Sequence, residues 1–187
     1  MAKRTKVSSS NVAYSVDYRD VKYPRLEFKT GKLLLVMPKQ ARNENELLEK
    51  HAKWINNRSL FIKNAITDAK DRKLDLKRTD AEFKNMIETF VNQACNEFGV
   101  KISQVRFRKM KSKWGSCSSR KNLTFNTVLR FLPESFIEYV VFHEAAHLVE
   151  RKHNDKFWKL LESGYGDYGD KEKGLFAYWF LVQEQLN

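Results

Sequence analysis

The chain has 187 residues, 42% of them hydrophobic and 31% charged, so it can bury a sizeable core and is not a disordered chain. Its 35 Lys and Arg outnumber its 23 Asp and Glu, giving a formal net charge of +12. It has no apolar run near the roughly 20 residues that cross a bilayer, no apolar signal segment, and too few cysteines for a disulfide framework. These features predict a cytoplasmic protein and exclude membrane-embedded and fibrous classes.

The excess positive charge lies early in the chain. Residues 1–110 hold 24 basic and 13 acidic residues, a balance of +11, whereas residues 111–187 hold 11 and 10. Such an asymmetry indicates a polyanionic partner, such as nucleic acid, that contacts the basic N-terminal half; the alternative is a basic, solvated surface.

The first part of the chain changes from short strands to helices. Residues 1–10 are expected to be a loosely ordered basic arm. Alternating apolar residues predict three strands in a meander, with Gly31 in the last turn, at 12–16, 25–28 and 32–37. From 43 to 72, apolar residues recur at helical spacing, which predicts two helices with a break near 56–57.

A charged linker over 71–79 leads into the second part. Thr79 or Asp80 is expected to cap a helix to about Glu97, which Gly99 ends. Beyond it the pattern predicts a strand at 104–111, a polar loop at 112–121, a strand at 123–126, helices over 133–150, 155–162 and 175–186, and a Gly-rich loop at 163–174. The expected organisation is a basic part, 1–78, packed on a second domain, 79–187.

Two histidines four residues apart, His143 and His147, lie on one face of the predicted 133–150 helix and can reach one metal ion. Glu144 is rotated about 100° from His143, so it can stand beside the metal and take a proton from a metal-bound water. His153 follows just past the expected helix end, and three protein ligands leave the fourth position of a catalytic zinc open. The spacing predicts one Zn²⁺ held by His143, His147 and His153, with Glu144 as general base.

Two segments, KWGSCSSRKNLTFNTVLRFLP (113–133) and VVFHEAAHLVERKHNDKFW (140–158), resemble the YgjP-like zinc metallopeptidases, relatives of the SprT-like and zincin peptidases. The matching positions are Trp114 to Ser118, Asn126, Val140, His143, Glu144, His147, His153, Phe157 and Trp158. The resemblance is close over 104–162 and looser before it. It implies an α+β, zincin-like fold with a small mixed β-sheet, an active-site helix and a helical C-terminal part. It also implies peptide-bond hydrolysis by residues 79–187, with the same three zinc ligands and catalytic Glu.

Three positions depart from the family pattern without touching a ligand. Ala145 stands where the family usually has Leu, Lys152 where it has Asn, and Asn154 where it has Ser. Ala145 is expected to reflect local packing, and Lys152 adds positive charge beside His153.

Several alternatives stay open from the sequence. The zinc could be structural in a nucleic-acid-binding protein, with Cys117 as the fourth ligand, or Cys117 could be a nucleophile paired with a histidine. The enzyme could be latent, with the 163–174 segment or the N-terminal arm in its cleft. Strand 123–126 could be a sheet edge that binds extended substrate, or an internal strand.

The remaining expectations concern the surroundings of the metal. The candidate oxyanion donors are Tyr165, Tyr168 and Tyr178. A cluster of basic residues with Phe107 and Trp114 could track a phosphate backbone; it consists of Arg106, Arg108, Lys109, Lys111 and Lys113. SprT-like relatives cleave proteins attached to DNA, so the resemblance implies the same kind of partner.

Overall fold

The structure, a computed structural model, describes residues 5–7, 12–29 and 31–186. The chain divides into two compact units, Met1–Asp71 and Arg72–Asn187, and each is described by itself. This division falls at the start of the predicted linker, a few residues before the expected boundary at 78/79. The predicted packing of the first part on the second stays a prediction.

The first unit is a four-stranded sheet with two helices. Its strands are β1 (Thr5–Val7), β2 (Ala13–Arg19), β3 (Arg25–Lys29) and β4 (Lys32–Pro38), in the order β1-β2-β4-β3. β2 and β4 are parallel, and the other two pairs are antiparallel. Its helices are α1 (Glu44–Lys50) and α2 (Ala52–Lys70), which break at His51 and not near 56–57.

The predicted three-stranded meander is wrong because β4 is a central strand. β4 pairs with β2 on one edge and with β3 on the other, and five consecutive residues, from Leu33 to Met37, are buried, as in a strand covered on both faces. Thr5–Val7 pairs with β2, so this part of the arm is ordered; residues 1–4 and 8–10 lie outside the described residues. Gly31 has a φ of 79°, as the predicted hairpin turn requires.

The second unit joins a three-stranded mixed sheet to four α-helices. Its elements are α3 (Asp80–Glu97), β5 (Gln104–Arg108), β6 (Gly115–Cys117), β7 (Asn122–Asn126), a 3₁₀ helix (Thr127–Phe131), α4 (Glu134–Ala146), α5 (Asp155–Gly164) and α6 (Tyr168–Gln185). The predicted α+β class, with a small mixed sheet, a His-bearing helix and a helical C-terminal part, is confirmed. Among the described residues, no helix combines the length and apolar character that a bilayer crossing requires.

The start of α3 follows the local signals in the sequence. The Thr79 hydroxyl accepts the N–H of Glu82 while the Glu82 carboxylate accepts the N–H of Thr79, a complete capping box. Gly99 ends the helix with a φ of 63°. The preceding linker is held in place, because the Asp75 N–H donates to the Phe131 carbonyl at 2.7 Å.

The sheet of the second unit has the order β5-β7-β6, so β7 is the central strand. β5 pairs with β7 in parallel, and β6 pairs with it antiparallel. The hypothesis that 123–126 is a free edge is therefore wrong, and the internal-strand alternative is confirmed. β6 comes from residues expected to form a polar loop, and it lies at the edge of the described sheet, packed against α4.

Two helix boundaries differ from the prediction. α4 ends at Ala146 with His147 as its C-cap, so the helix stops at the second histidine and not at Glu150. α6 begins at Tyr168, so most of the predicted 163–174 loop is helical. Gly174 sits inside α6 because a Cβ there would lie 2.6 Å from the Phe136 ring.

Candidate metal centre

The structure brings His143, His147 and His153 together. Each offers one ring nitrogen, and these three nitrogens lie within 4.8 Å of one another. His143 is on the last turn of α4, His147 caps that helix, and His153 precedes Asn154, the N-cap of α5. The chain turns back between the two helices, which places the third imidazole against the first two.

In both α4 histidines an acceptor faces Nδ1, so Nε2 is the candidate ligand atom. His147 Nδ1 lies 3.1 Å from the Glu150 carbonyl oxygen, and His143 Nδ1 lies 3.3 Å from Glu172 Oε1. Because both partners only accept hydrogen bonds at neutral pH, each Nδ1 carries the proton and each Nε2 presents a lone pair. This tautomer is the one that binds metal through Nε2.

The spacing between two of the three candidate ligand nitrogens suits a tetrahedral cation. The Nε2 atoms of His143 and His153 are 3.1 Å apart, and two ligands on a tetrahedral zinc with bonds of about 2.05 Å are separated by about 3.3 Å. Burial, followed by the neighbouring histidines, lowers the pKa of His147 to about 4 and lowers that of His153. Both imidazoles are therefore neutral near pH 7, the state that coordinates a metal. The three residues fit a zinc ion.

Aromatic rings support two of the three imidazoles. Phe157 stacks on His147 with centroids 4.5 Å apart, and Trp158 stacks on His153 at 5.5 Å. Both aromatic residues lie in the first turn of α5, where the Asn154 side chain accepts the Phe157 N–H at 3.1 Å. The Asn-x-x-Phe-Trp sequence after His153 therefore both starts a helix and packs the metal-facing rings.

Glu144 is held beside the cluster, outside the group of three ligand nitrogens. It is only 8% exposed, and burial raises its pKa to about 7 against the lowering effect of His143, Lys113 and the Cys117 N–H. Its side chain rests on the backbone of β6, where a Cβ on Gly115 would lie 2.6 Å from Glu144 Cγ. The carboxyl group occupies space that only glycine leaves open.

A carboxylate that sequence reasoning missed orients His143. Glu172, on α6, accepts from His143 Nδ1 and from the Tyr139 hydroxyl, the latter at 2.7 Å. Burial alone would raise the pKa of Glu172, but the bonds from His143 and Tyr139 lower it. Carboxylates often hold metal-binding histidines in this way. No local pattern marks Glu172 among the 14 glutamates of the chain, since its partners lie on another helix.

A cavity of about 540 Å³ opens in front of the cluster. Its lining includes Glu144, Glu172, Trp114 and Cys117, and the only part of the 163–174 segment that reaches it is Glu172. This segment does not fill the cleft, which counts against that form of the latent alternative. Residues 1–4 and 8–10 of the N-terminal arm lie outside the described residues.

The predicted oxyanion tyrosines do not line this cavity. Tyr165 packs against Tyr139 and Phe142, Tyr168 stacks on Trp158, and Tyr178 packs against Phe136. Within the described part of the chain, Tyr139 is the one tyrosine in the cavity lining, and its hydroxyl is used by Glu172.

Cys117 borders the same cavity but does not join the metal-binding group. Burial and then Glu144 raise the pKa of its thiol, which disfavours the thiolate that a nucleophile or a zinc ligand needs. Neither the cysteine-peptidase alternative nor a fourth protein ligand from Cys117 fits this arrangement.

Asn126 secures the loop that leads into β6. Its side chain is fully buried and donates to the carbonyls of Met110 and Lys113 at 2.8 and 2.7 Å. Its Oδ1 accepts from the Met110 and Val128 N–H groups at 3.2 and 3.3 Å. This one amide fixes both ends of the turn before Gly115 and starts the 3₁₀ helix after β7.

The comparison with known families agrees with this geometry. A family model described as "YgjP-like, metallopeptidase domain" matches residues 56–178, well over half of the chain. The chain belongs to the YgjP-like metallopeptidase family. The family implies a metal, usually zinc, and the three-histidine cluster could hold it.

Other proteins resemble this YgjP-like chain more narrowly. The UTP pyrophosphatase of Escherichia coli (strain K12) is 33% identical over 79 residues, which are 41% of this chain and 43% of that protein. The chain thus matches less than half the length of this curated relative. The zymogens of Pyrococcus abyssi abylysin and Methanocaldococcus jannaschii jannalysin are each 21% identical, with TM-scores of 0.43 and 0.45. The matches cover 53% and 62% of this chain, and 94% and 98% of the two zymogen chains, respectively. With TM-scores below 0.5, these likenesses say nothing about function.

Proposed function

We propose that this YgjP-like chain is a zinc-dependent peptidase, with His143, His147 and His153 as the metal ligands and Glu144 as the general base. The observation that carries the proposal is the convergence of three imidazole nitrogens, within 4.8 Å of one another, beside one buried carboxyl group. Three protein ligands leave a coordination position for water, as catalytic zinc sites require and closed structural sites do not.

The zinc, when bound, supplies Lewis-acid polarisation of the scissile carbonyl and of a water molecule. Glu144 takes the proton of that water and returns it to the leaving amine, a task suited to a carboxyl group whose pKa lies near 7. Glu172 and the Glu150 carbonyl hold the protons of His143 and His147 on Nδ1, away from the metal. The N–H of Cys117 and the bare backbone at Gly115 keep Glu144 in place.

The decisive experiment compares the parent protein with Glu144→Gln on protein substrates, with zinc content measured in parallel. We expect the variant to lose on the order of 10²- to 10⁴-fold in kcat/KM, the usual contribution of a general base, while still binding one zinc per chain. Glu134→Gln, an exposed position on the same helix, is the matched control and should change neither quantity. A Glu144→Gln variant that cleaves substrates as well as the parent contradicts the mechanism.

A second candidate is hydrolysis of a phosphoanhydride bond. The observation that favours it is the 33% identity to a protein named UTP pyrophosphatase. The same general base and metal could activate water for attack on a phosphoryl group as readily as on a carbonyl. An assay of UTP hydrolysis by the parent and by Glu144→Gln distinguishes the two functions. If the parent hydrolyses UTP but cleaves no peptide or protein substrate, the phosphoanhydride hydrolase is the correct assignment and the peptidase is wrong.

Nucleic acid stays a proposed partner of the enzyme. On β5 the alternation of the strand leaves Arg106 and Arg108 exposed, with Gln104 on the same face. A row of cations of this kind is suited to a phosphate backbone. Single-stranded DNA should therefore raise the rate of cleavage of DNA-binding proteins at low salt, and Arg106→Gln with Arg108→Gln should abolish that increase while leaving the rate without DNA unchanged.

A further inference from the structure

Two cationic side chains border the cavity in front of the histidine cluster. Lys113 precedes β6, and Arg151 follows the turn after α4, so they reach the cavity from different elements. Arg151 Nη2 donates to the Ser119 carbonyl at 3.1 Å, and the Lys113 carbonyl accepts from the buried Asn126 amide at 2.7 Å. Both positions are thus tied to the sheet of the second unit.

The balance of charge around the cavity determines what it attracts. Among the described residues that line it, the only carboxylates are Glu144 and Glu172. Lys113 and Arg151 oppose these two carboxyl groups in number, so a bound divalent ion would make the net charge of the cavity positive. A concave site with a net positive charge concentrates anionic ligands.

The two cations line the same cavity as the histidine cluster. His143, His147, His153 and Glu144 border this cavity together with Lys113 and Arg151. A substrate that is bound at the histidine cluster would therefore lie in the cavity that the two cations border.

We propose that this cavity binds substrates that carry an anionic oxygen group next to the scissile bond, held by Lys113 and Arg151. The inference rests on the proposed hydrolytic function and names its substrate class. Arg151 offers a planar fork for a carboxylate or phosphate, and Lys113 a point charge. The anion has two possible sources, the carboxylate of a peptide or the phosphate of a nucleotide.

The test is calorimetric binding to the zinc-loaded protein at low and high salt. One arm compares a short peptide that has a free C-terminal carboxylate with its C-terminal amide, and the other compares a methylene-bridged UTP analogue with uridine. In at least one arm, the anionic ligand should bind at least tenfold more tightly than its neutral partner. In the double variant of Lys113→Gln and Arg151→Gln, this preference should disappear.

The matched control is the double variant of Arg120→Gln and Lys159→Gln, which removes the same charge from exposed positions outside the cavity lining. It should change the dissociation constant less than twofold. The inference is overturned if both double variants lose the same affinity for the anionic ligand. It is also overturned if the parent shows no preference for the anionic ligand, or binds no ligand in either arm.

The outcome is separable from that of the proposed function. If peptide cleavage depends on Glu144 but not on the two cations, the peptidase function is supported and the anion subsite is wrong. If anion binding depends on both cations but no peptide is cleaved, the anion subsite is supported and the peptidase function is wrong.

Discussion

Glu144 owes its position to a residue without a side chain. The carboxyl group lies against the backbone of β6, and the Cys117 N–H holds it there from the same strand. At Gly115 any Cβ would fall within 3.0 Å of three Glu144 side-chain atoms, including Oε1 at 2.8 Å. The Trp-Gly-Ser-Cys segment therefore acts on the site through its backbone, although its sequence contains residues that could suggest side-chain chemistry.

Gly115→Ala should displace Glu144 while leaving the histidine cluster intact. Because a misplacement of about 1 Å can cost roughly 10²-fold in rate, we expect kcat/KM to fall about 100-fold. Zinc affinity, measured by competition with a chelator, should stay close to that of the parent. Gly166→Ala, where a new Cβ meets nothing within 4 Å, is the control and should be fully active. Normal activity in Gly115→Ala would mean that the position of Glu144 does not matter.

Glu172→Ala should weaken zinc binding. The substitution removes the acceptor for His143 Nδ1 and leaves the Tyr139 hydroxyl without its partner. Loss of such a supporting group typically lowers metal affinity about 10- to 100-fold. Chelator competition measures the affinity, and the proton position on His143 can be followed by nitrogen NMR shifts. Glu172→Gln, which keeps an acceptor oxygen, should recover part of the affinity, whereas Glu184→Ala on the same helix should have no effect.

At the scale of elements, the site depends on where helices stop and how one short strand is held. α4 ends at the second histidine, so the chain can turn and place His153 before α5. β6 is only three residues long, and its approach is fixed by the Asn126 amide on β7. An uninterrupted helix to Glu150, as the apolar pattern suggests, would carry the chain past the position where His153 meets His143.

Asn126→Ala should destabilise the second unit by about 2–4 kcal/mol, because it removes a fully buried amide and leaves the backbone groups of Met110 and Lys113 without this partner. Urea unfolding followed by tryptophan fluorescence measures the change, since Trp114 and Trp179 are in edge-to-face contact at 4.9 Å within this unit. Asn122→Ala, on the same strand and partly exposed, should cost less than about 1 kcal/mol. Similar losses for the two variants would contradict a special role for the Asn126 amide.

At the scale of the whole molecule, the three histidines of the candidate metal centre bring separate helices together. They come from the end of α4 and from the segment just before α5, and Glu172 connects them to α6. A ligand that binds only the folded state stabilises it by mass action, and we expect about 4 kcal/mol when zinc is present at 1,000 times its dissociation constant.

Removal of zinc should therefore lower the thermal midpoint of the protein, and added zinc should restore it. Differential scanning calorimetry with and without a chelator measures the shift. His153→Ala should abolish most of the zinc-dependent shift, because one of the three ligands is lost. His51→Ala, at the only histidine outside the cluster, should keep it. A zinc-dependent shift that is equal in His153→Ala and the parent would contradict the assignment of His153 as a ligand.

The sequence by itself determined the features that depend on near neighbours. Helical periodicity put His143 and His147 on one face with Glu144 beside them, and the cap candidates Thr79 and Asp80 marked the start of α3. Spacing also suggested His153, because it lies a few residues past the helix. These interactions span one or two helical turns, so the chain encodes them in its local pattern.

Only the tertiary structure decided which distant residues complete the site. Tyr139 and Glu172 are 33 residues apart in the sequence and are hydrogen-bonded between two helices. Gly115 contacts Glu144 from β6, a strand in a segment that the sequence predicted to be a loop. The order of the strands depended on the burial of β4 and β7, and alternation along each strand does not specify which neighbours it takes. Contacts between elements depend on which surfaces the whole fold buries together, and a local sequence pattern does not specify those surfaces.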